Sequence, residues 1–133
     1  MNNRYLYRAK RKNWRELPKE MWWVEGYYAY MQPYHYIMLK DNFDSWIEID
    51  EKTLCACTGL EDKNGKLIWE NEIIKCKCGI AVVVWDKSEW RIKWVKDNIW
   101  RKDLHFWVND ENEYGVEVIG SAIDNPEMLE VGE

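Results

Sequence analysis

Apolar and polar residues alternate with a period of two along much of this chain, the pattern of strands half-buried in a sheet. The clearest run is Trp90-Arg91-Ile92-Lys93-Trp94, with Trp90, Ile92 and Trp94 on one face and Arg91 and Lys93 on the other. Ile73 to Cys78 alternates in the same way, Gly79 permits a tight reversal, and Ile80 to Trp85 is strongly β-prone. Asp86-Lys87-Ser88 supplies the next turn. Upstream, the segments Trp22 to Tyr30, Tyr34 to Leu39 and Trp46 to Ile49 are divided by Pro33 and by Asp41-Asn42. They read as a meander, with Gly26 as a candidate bulge.

The remaining segments are less regular. Arg4 to Ala9 places Tyr5, Tyr7 and Ala9 on one face, a strand by its period with a short helix as the alternative. Asn13 to Glu20, containing Pro18, reads as a connecting loop. Thr53 to Thr58 is extended, Gly59-Leu60 leads into the turn Asp62-Lys63-Asn64-Gly65, and Leu67-Ile68-Trp69 leaves it. Lys96 to Asp110 fits neither a strand nor a helix, because Ile99, Trp100, Leu104 and Trp107 follow neither period. Gly115 to Ile119 is a closing strand. Asp124-Asn125-Pro126-Glu127 then offers an N-cap, a proline at the first helical position and an acid in the first turn, which predicts a short C-terminal helix. Short strands divided by turn residues predict a mainly-β chain, a small barrel or sandwich.

Composition adds one unusual feature: ten Trp and eight Tyr against two Phe in 133 residues. Indoles and phenols carry polar handles, so they suit half-buried faces and stacking sites as well as cores. A net charge of −5 disfavours broad binding to duplex DNA, which needs a basic face to displace counterions. The charge is uneven, however. Arg4, Arg8, Lys10, Arg11, Lys12 and Arg15 crowd the start, and Glu127, Glu130 and Glu133 the end. The basic run reads either as a solvated edge that resists strand-to-strand aggregation or as a patch that meets a phosphate. There is no apolar leader segment and no stretch long enough to cross a membrane. The expected location is therefore the cytoplasm, with Cys55, Cys57, Cys76 and Cys78 reduced.

Three segments together resemble the YopX family of phage and prophage proteins. They are Arg4 to Lys10, the central TLCACTGLEDKNGKLIWENEII, and EVIGSAIDNPEML from Glu117 to Leu129. The resemblance implies an SH3-like barrel in the C-terminal half, residues 53–133, ending in the short helix. It also implies a β-rich, aromatic N-terminal subdomain, residues 1–52, and a phage or prophage origin. At Trp69-Glu70-Asn71-Glu72 the chain departs from the family form of aromatic, Glu, Gly, Asp. Either the backbone needs no special dihedral there, or Asn71 supplies it, since Asn tolerates the left-handed region better than most residues. The family has no assigned reaction, so no catalytic residues carry over.

The residues themselves offer little catalytic chemistry. Cys55-x-Cys57 with Cys76-x-Cys78 has the count of a four-thiolate zinc site. Residues two apart in a strand, however, lie roughly 6.5 Å from each other, whereas two sulfurs on one zinc approach to roughly 3.8 Å. Packing as small hydrophobes is the better reading, and no metal or cofactor is expected. His35 and His105 are the only histidines, and neither sits in a local nucleophile signature. The acid pairs Glu61-Asp62 and Asp110-Glu111 read as turn and loop residues. No phosphate-cradling or nucleophile-elbow motif is present, so an enzyme is not expected.

Recognition is what remains. Basic side chains interleaved with Trp and Tyr can stack a base while neutralising a phosphate. The candidate ligand-binding residues are Arg8, Tyr28, His35, Trp46, Trp90 and Arg91. The expected function is a non-enzymatic, homo-oligomeric phage protein that sequesters a nucleotide-like host signalling molecule. The alternatives are a single-stranded nucleic-acid-binding accessory factor and a protein-interaction module that inhibits a host enzyme.

Overall fold

In a computed structural model that describes residues 5–96, 100–108 and 113–130, the alternating segments form antiparallel strands. Arg4, Ile99, Asp110, Glu111 and Glu133, singled out above, lie outside the described residues. The chain divides into two units, 1–57 and 58–133.

In the first unit, β1 (Tyr7–Lys10), β2 (Trp23–Met31), β3 (Tyr34–Leu39) and β4 (Trp46–Glu48) pair in the order β4-β3-β2-β1. The start of β5 (Cys55–Glu61) adds to β1, Tyr7 lying opposite Ala56. The expected meander is thus present. Gly26 is not a bulge, because the register runs through it unbroken to Tyr7 on one side and Leu39 on the other. Its role is close approach: a Cβ there would lie 2.1 Å from the Met38 carbonyl oxygen. The loop from Asn13 contains two 3-10 turns, Trp14–Glu16 and Lys19–Met21, and a third, Glu51–Thr53, precedes β5.

Strand parity decides which side chains of this unit join its apolar core. Ala9, Val24, Ile37 and Ile49 form the core, with Tyr7, Leu39, Ile47 and Leu54 packed against it. Arg8, Lys10, Trp23, Tyr27, Tyr34, Tyr36, Trp46 and Glu48 alternate with these along their strands and so take the opposite face.

The second unit holds the end of β5, β6 (Leu67–Trp69), and a sheet ordered β10-β7-β8-β9. Its strands are β7 (Glu72–Cys76), β8 (Gly79–Asp86), β9 (Glu89–Trp94) and β10 (Glu117–Ser121). Among the described residues this sheet ends at β10 and β9 without closing on itself, so of the SH3-like barrel expected of residues 53–133 the structure shows the mainly-β character but no closed barrel. Ile74, Ala81, Val83, Ile92, Trp94 and Val116 make the core with Leu104 and Trp107 of α1 (Leu104–Trp107). That single helical turn is what the unassigned segment before Asp110 contains. The indole N–H groups of Trp94 and Trp107 both donate to the Arg101 carbonyl, at 3.1 and 2.9 Å, which fixes two large rings from one acceptor.

The C-terminal helix is shorter than expected, a 3-10 turn over Pro126–Leu129 with the proline at its start. The Asn125 side chain does not cap it; its Oδ1 accepts from Ser121 N–H at 3.1 Å instead.

The family-like centre is built around a carboxylate. Asp62 is 2% exposed, and its Oδ1 accepts from the N–H groups of Asn64 and Lys66, at 2.8 and 3.0 Å. Its Oδ2 accepts from Val118 N–H at 3.0 Å, joining the turn to β10. Burial pushes the carboxyl up, but the N–H donors of Val118, Lys66 and Asn64, with the Lys66 charge, outweigh it and hold the group below its ordinary range. Asn71 has φ of +69°, so the residue standing where the family form has glycine does supply a left-handed backbone. There its N–H donates to Val83 and its carbonyl accepts from Ala122.

Candidate functional site

Strand parity places all four candidate residues of the first unit. Tyr28 and His35 share the core-side face with Tyr7 and Tyr30, and Trp46 lies on the other. The Tyr28 hydroxyl is 2.6 Å from His35 Nδ1, and His35 Nε2 is 2.6 Å from Glu51 Oε2. A carboxylate only accepts, so Nε2 carries the proton, and in the neutral ring Nδ1 accepts from the Tyr28 O–H. Burial, and then the negative charge of Glu51, push the Tyr28 phenol up from its ordinary value. The rings stack with an interplanar angle of 16°, and Tyr30 packs on the imidazole at 4.8 Å. Beside them is a hollow of 130 Å³ lined by Lys12, Tyr34, His35, Glu48 and Glu51. It mixes both signs of charge, and the hydrogen-bond chain serves to hold the β2–β3 hairpin to the turn at Glu51.

Glu51 gave no sequence signal. It lies sixteen residues beyond His35, outside the strand pattern that singled out the histidine.

Trp46 joins a row of rings on the outer face, with Tyr36 at 5.8 Å and Tyr34 a further 6.5 Å on. Tyr34, Phe43 and Trp46 are exposed. Arg8 shares that face and stacks 4.8 Å from the Trp23 ring. Its neighbours on the chain behave likewise. Lys10, only 2% exposed, holds its ammonium 3.8 Å from the Trp14 ring and 4.3 Å from the Trp22 ring, with Trp23 at 5.6 Å. Trp14 is itself anchored, its indole N–H donating to Asp50 at 3.1 Å, and Arg15 stacks on it at 4.3 Å. Much of the N-terminal basic run is therefore engaged with indoles of its own unit.

In the second unit, parity separates Trp90 from Arg91. Trp90 packs toward the core and touches Trp85 edge-on at 5.0 Å, whereas Arg91 faces the other side of β9 with Lys93. One ligand cannot be both stacked on that ring and held by that guanidinium across the same strand.

Arg91 instead lines a groove of about 350 Å³ together with Lys87, Lys93 and Lys102, and with one acid, Asp86. The turn that carries Lys87 is tight, Lys87 and Ser88 having φ of +54° and +63°. Lys102 is brought in by an Ile92 N–H to Lys102 carbonyl bond of 2.7 Å. Among the described residues, Arg91 is the one of these cations that forms an ion pair, at 3.7 Å with Glu89. Four cations thus line one concavity with Asp86, one of them paired with Glu89, although the whole chain is acidic.

The thiols divide by burial. Cys55 and Cys57 are each 1% exposed in β5, and Cys55 Sγ donates to the Thr53 carbonyl at 3.3 Å. Cys76 and Cys78 are half-buried. Among the described residues, no group of three or more His, Cys, Asp or Glu side chains is placed to hold a metal ion. No described helix is long and apolar enough to cross a membrane.

Fold and site together define a mainly-β protein with a groove lined by Lys87, Arg91, Lys93 and Lys102. The chain belongs to the YopX protein family, whose model matches residues 2–130. That membership points to a protein of phage type. No curated protein matches the chain.

Proposed function

We propose that this is a non-enzymatic phage binding protein that captures a phosphate-bearing, nucleotide-like host signalling molecule as a counter-defence. The observation that carries the reading is the convergence of Lys87, Arg91, Lys93 and Lys102 on one groove. Its 350 Å³ volume lies at the lower end of small-ligand clefts, roughly 300–1,000 Å³. Arginine offers a phosphate two parallel N–H bonds, and the lysines add adaptable point charges. The proposal includes an SH3-like arrangement of the C-terminal strands, and a cytoplasmic site of action where such a ligand is found.

The test is calorimetry against a panel of linear and cyclic nucleotides, with inorganic pyrophosphate as the minimal anion. Binding to at least one nucleotide is expected, weakened at least tenfold by Arg91→Glu with an unchanged circular dichroism spectrum. A flat titration across the panel overturns the reading.

A second reading rests on the row of exposed Tyr34, half-buried Tyr36 and exposed Trp46, whose rings suit a protein contact, either a second copy of this chain or a host protein. Light scattering tests the homo-oligomer. A higher-order species that Trp46→Glu converts to monomer supports it, and a monomeric wild-type chain removes it.

A further inference from the structure

Asn64-Gly65 is the only Asn-Gly step in the sequence. A glycine after asparagine leaves the carboxamide within reach of the next backbone nitrogen, because no Cβ shields that nitrogen. Elsewhere the step is blocked: bulky Phe43 follows Asn42, and Pro126, which has no N–H, follows Asn125. Asn64 and Gly65 are both exposed, on the turn that joins β5 to β6. Gly65 has φ of +78°, and a Cβ built on it would meet nothing within 4 Å, so the space beside the step is open. Asp62 holds the turn from inside. Gly65 N–H donates to the Asp62 carbonyl at 3.0 Å, and the N–H groups of Asn64 and Lys66 donate to its Oδ1. The Gly65 nitrogen is thus engaged as a donor near a carboxylate, and both conditions oppose loss of its proton.

We propose that Asn64 is a site of spontaneous modification, at which the Gly65 nitrogen displaces the Asn64 side-chain amide, and that the Asp62 turn is the brake on its rate. A bond forms between Gly65 N and Asn64 Cγ, the Cγ–Nδ2 bond breaks, and the side-chain nitrogen leaves as ammonia with the Gly65 proton. Solvent water then opens the cyclic imide. Opening at Cγ gives aspartate, and opening at the Asn64 main-chain carbonyl gives isoaspartate, whose backbone runs through the β-carbon. Either product adds a negative charge near Asp62. Isoaspartate also adds one carbon to the segment closed by the Asp62 N–H to Lys66 carbonyl bond of 2.8 Å. The longer segment shifts the Lys66 N–H away from Asp62 Oδ1 and loosens the carboxylate whose Oδ2 accepts from Val118. The link between the central turn and β10 therefore weakens as the protein ages.

The experiment incubates the full-length chain in mildly alkaline buffer and follows it by peptide mapping with mass spectrometry, isoaspartate being located by electron-transfer fragmentation. A gain of one mass unit is expected at Asn64 ahead of every other asparagine, and none at that position in Asn64→Gln. Conversion should quicken at least threefold in urea, where local bonds no longer restrain the step. It should also quicken at least threefold in Asp62→Asn, whose fold is checked by circular dichroism. Ion exchange isolates the isoaspartate form, which should melt below both wild type and Asn64→Asp. A native chain whose Asn64 stays intact while the urea-unfolded chain converts overturns the proposal. So does a folded Asp62→Asn chain that converts no faster than wild type, or an isoaspartate form that melts with wild type.

Discussion

Lys10 lies among three indoles with almost no exposed surface, whereas Lys87, Arg91, Lys93 and Lys102 stand around an open groove. Along the sequence the ranking is reversed. The N-terminal run is the denser basic cluster, and the hairpin cations are scattered over sixteen positions between acids and tryptophans. What separates the two regions is what the fold brings to each cation. The loop through Trp14 and Trp22 wraps an aromatic wall around Lys10, and its ammonium holds that loop to the sheet. Alternation on β9 sends Trp90 and Trp94 inward and leaves Arg91, paired with Glu89, and Lys93 facing the other way. Basic density alone therefore does not locate an anion site. A cation already engaged by its own protein belongs to the fold, and one left beside a concavity is available to a ligand.

The sharpest way to break this contrast is to remove Lys10. Lys10→Ala should cost about 3 kcal/mol, a desolvated cation–π contact together with lost packing of the stem. Lys10→Met should recover part of that by refilling the volume, and urea unfolding of both variants measures the difference. A loss below about 1 kcal/mol, the range of an exposed cation–π contact, would place Lys10 with the groove lysines.

Asp62 extends the comparison to an acid that also belongs to the fold. Asp62→Asn should cost about 2 kcal/mol, since one of the oxygens serving Asn64, Lys66 and Val118 becomes a donor. Because the folded carboxyl lies below its unfolded value, its contribution is fully present above the unfolded pKa of about 4 and is lost as pH falls through the folded value. Wild type should therefore lose more stability than Asp62→Asn on acidification below that point. Equal losses would mean that another group governs the acid limb.

Asn71→Val should cost about 1–2 kcal/mol, because a β-branched residue is strained at the left-handed dihedral, and Asn71→Gly should be close to neutral. Thermal melts distinguish the two. The smallest stability effect is expected at the groove, where Lys93→Ala should lie within about 0.5 kcal/mol of wild type. Its readout is ligand affinity, which should fall with added salt while the stability conferred by Lys10 barely changes.

These contrasts also explain how far the sequence could be read. The strands were legible because period-two alternation and turn residues are local properties. Trp90, Ile92 and Trp94 were assigned to one face, and the hairpins at Gly79 and Lys87-Ser88 followed from residues inside them. The same alternation already separated Trp90 from Arg91, so pairing them as one ligand site ignored a local rule. The Lys10 enclosure was not legible, because its nearest rings come from Trp14 and Trp22, one of them across an irregular loop with no period to follow. Asp62 was readable as a turn former from Asn64 and Gly65. Its bond to Val118, fifty-six residues on, carries no local mark. Glu51 and Lys102 escaped for the same reason, being placed by tertiary structure on residues chosen for their neighbours.

The bond from Asp62 to Val118 has a further consequence, for the order in which the protein can be made. β7 takes one neighbour from β8, which follows at once, and the other from β10, the last of the described strands. A nascent chain ending before Glu117 would carry an Asp62 carboxylate bonded to its own turn but not across the sheet. It would also expose the free edge of β7, ready to pair with another chain. The central turn can thus form early, but the second unit is sealed only when its final strand arrives.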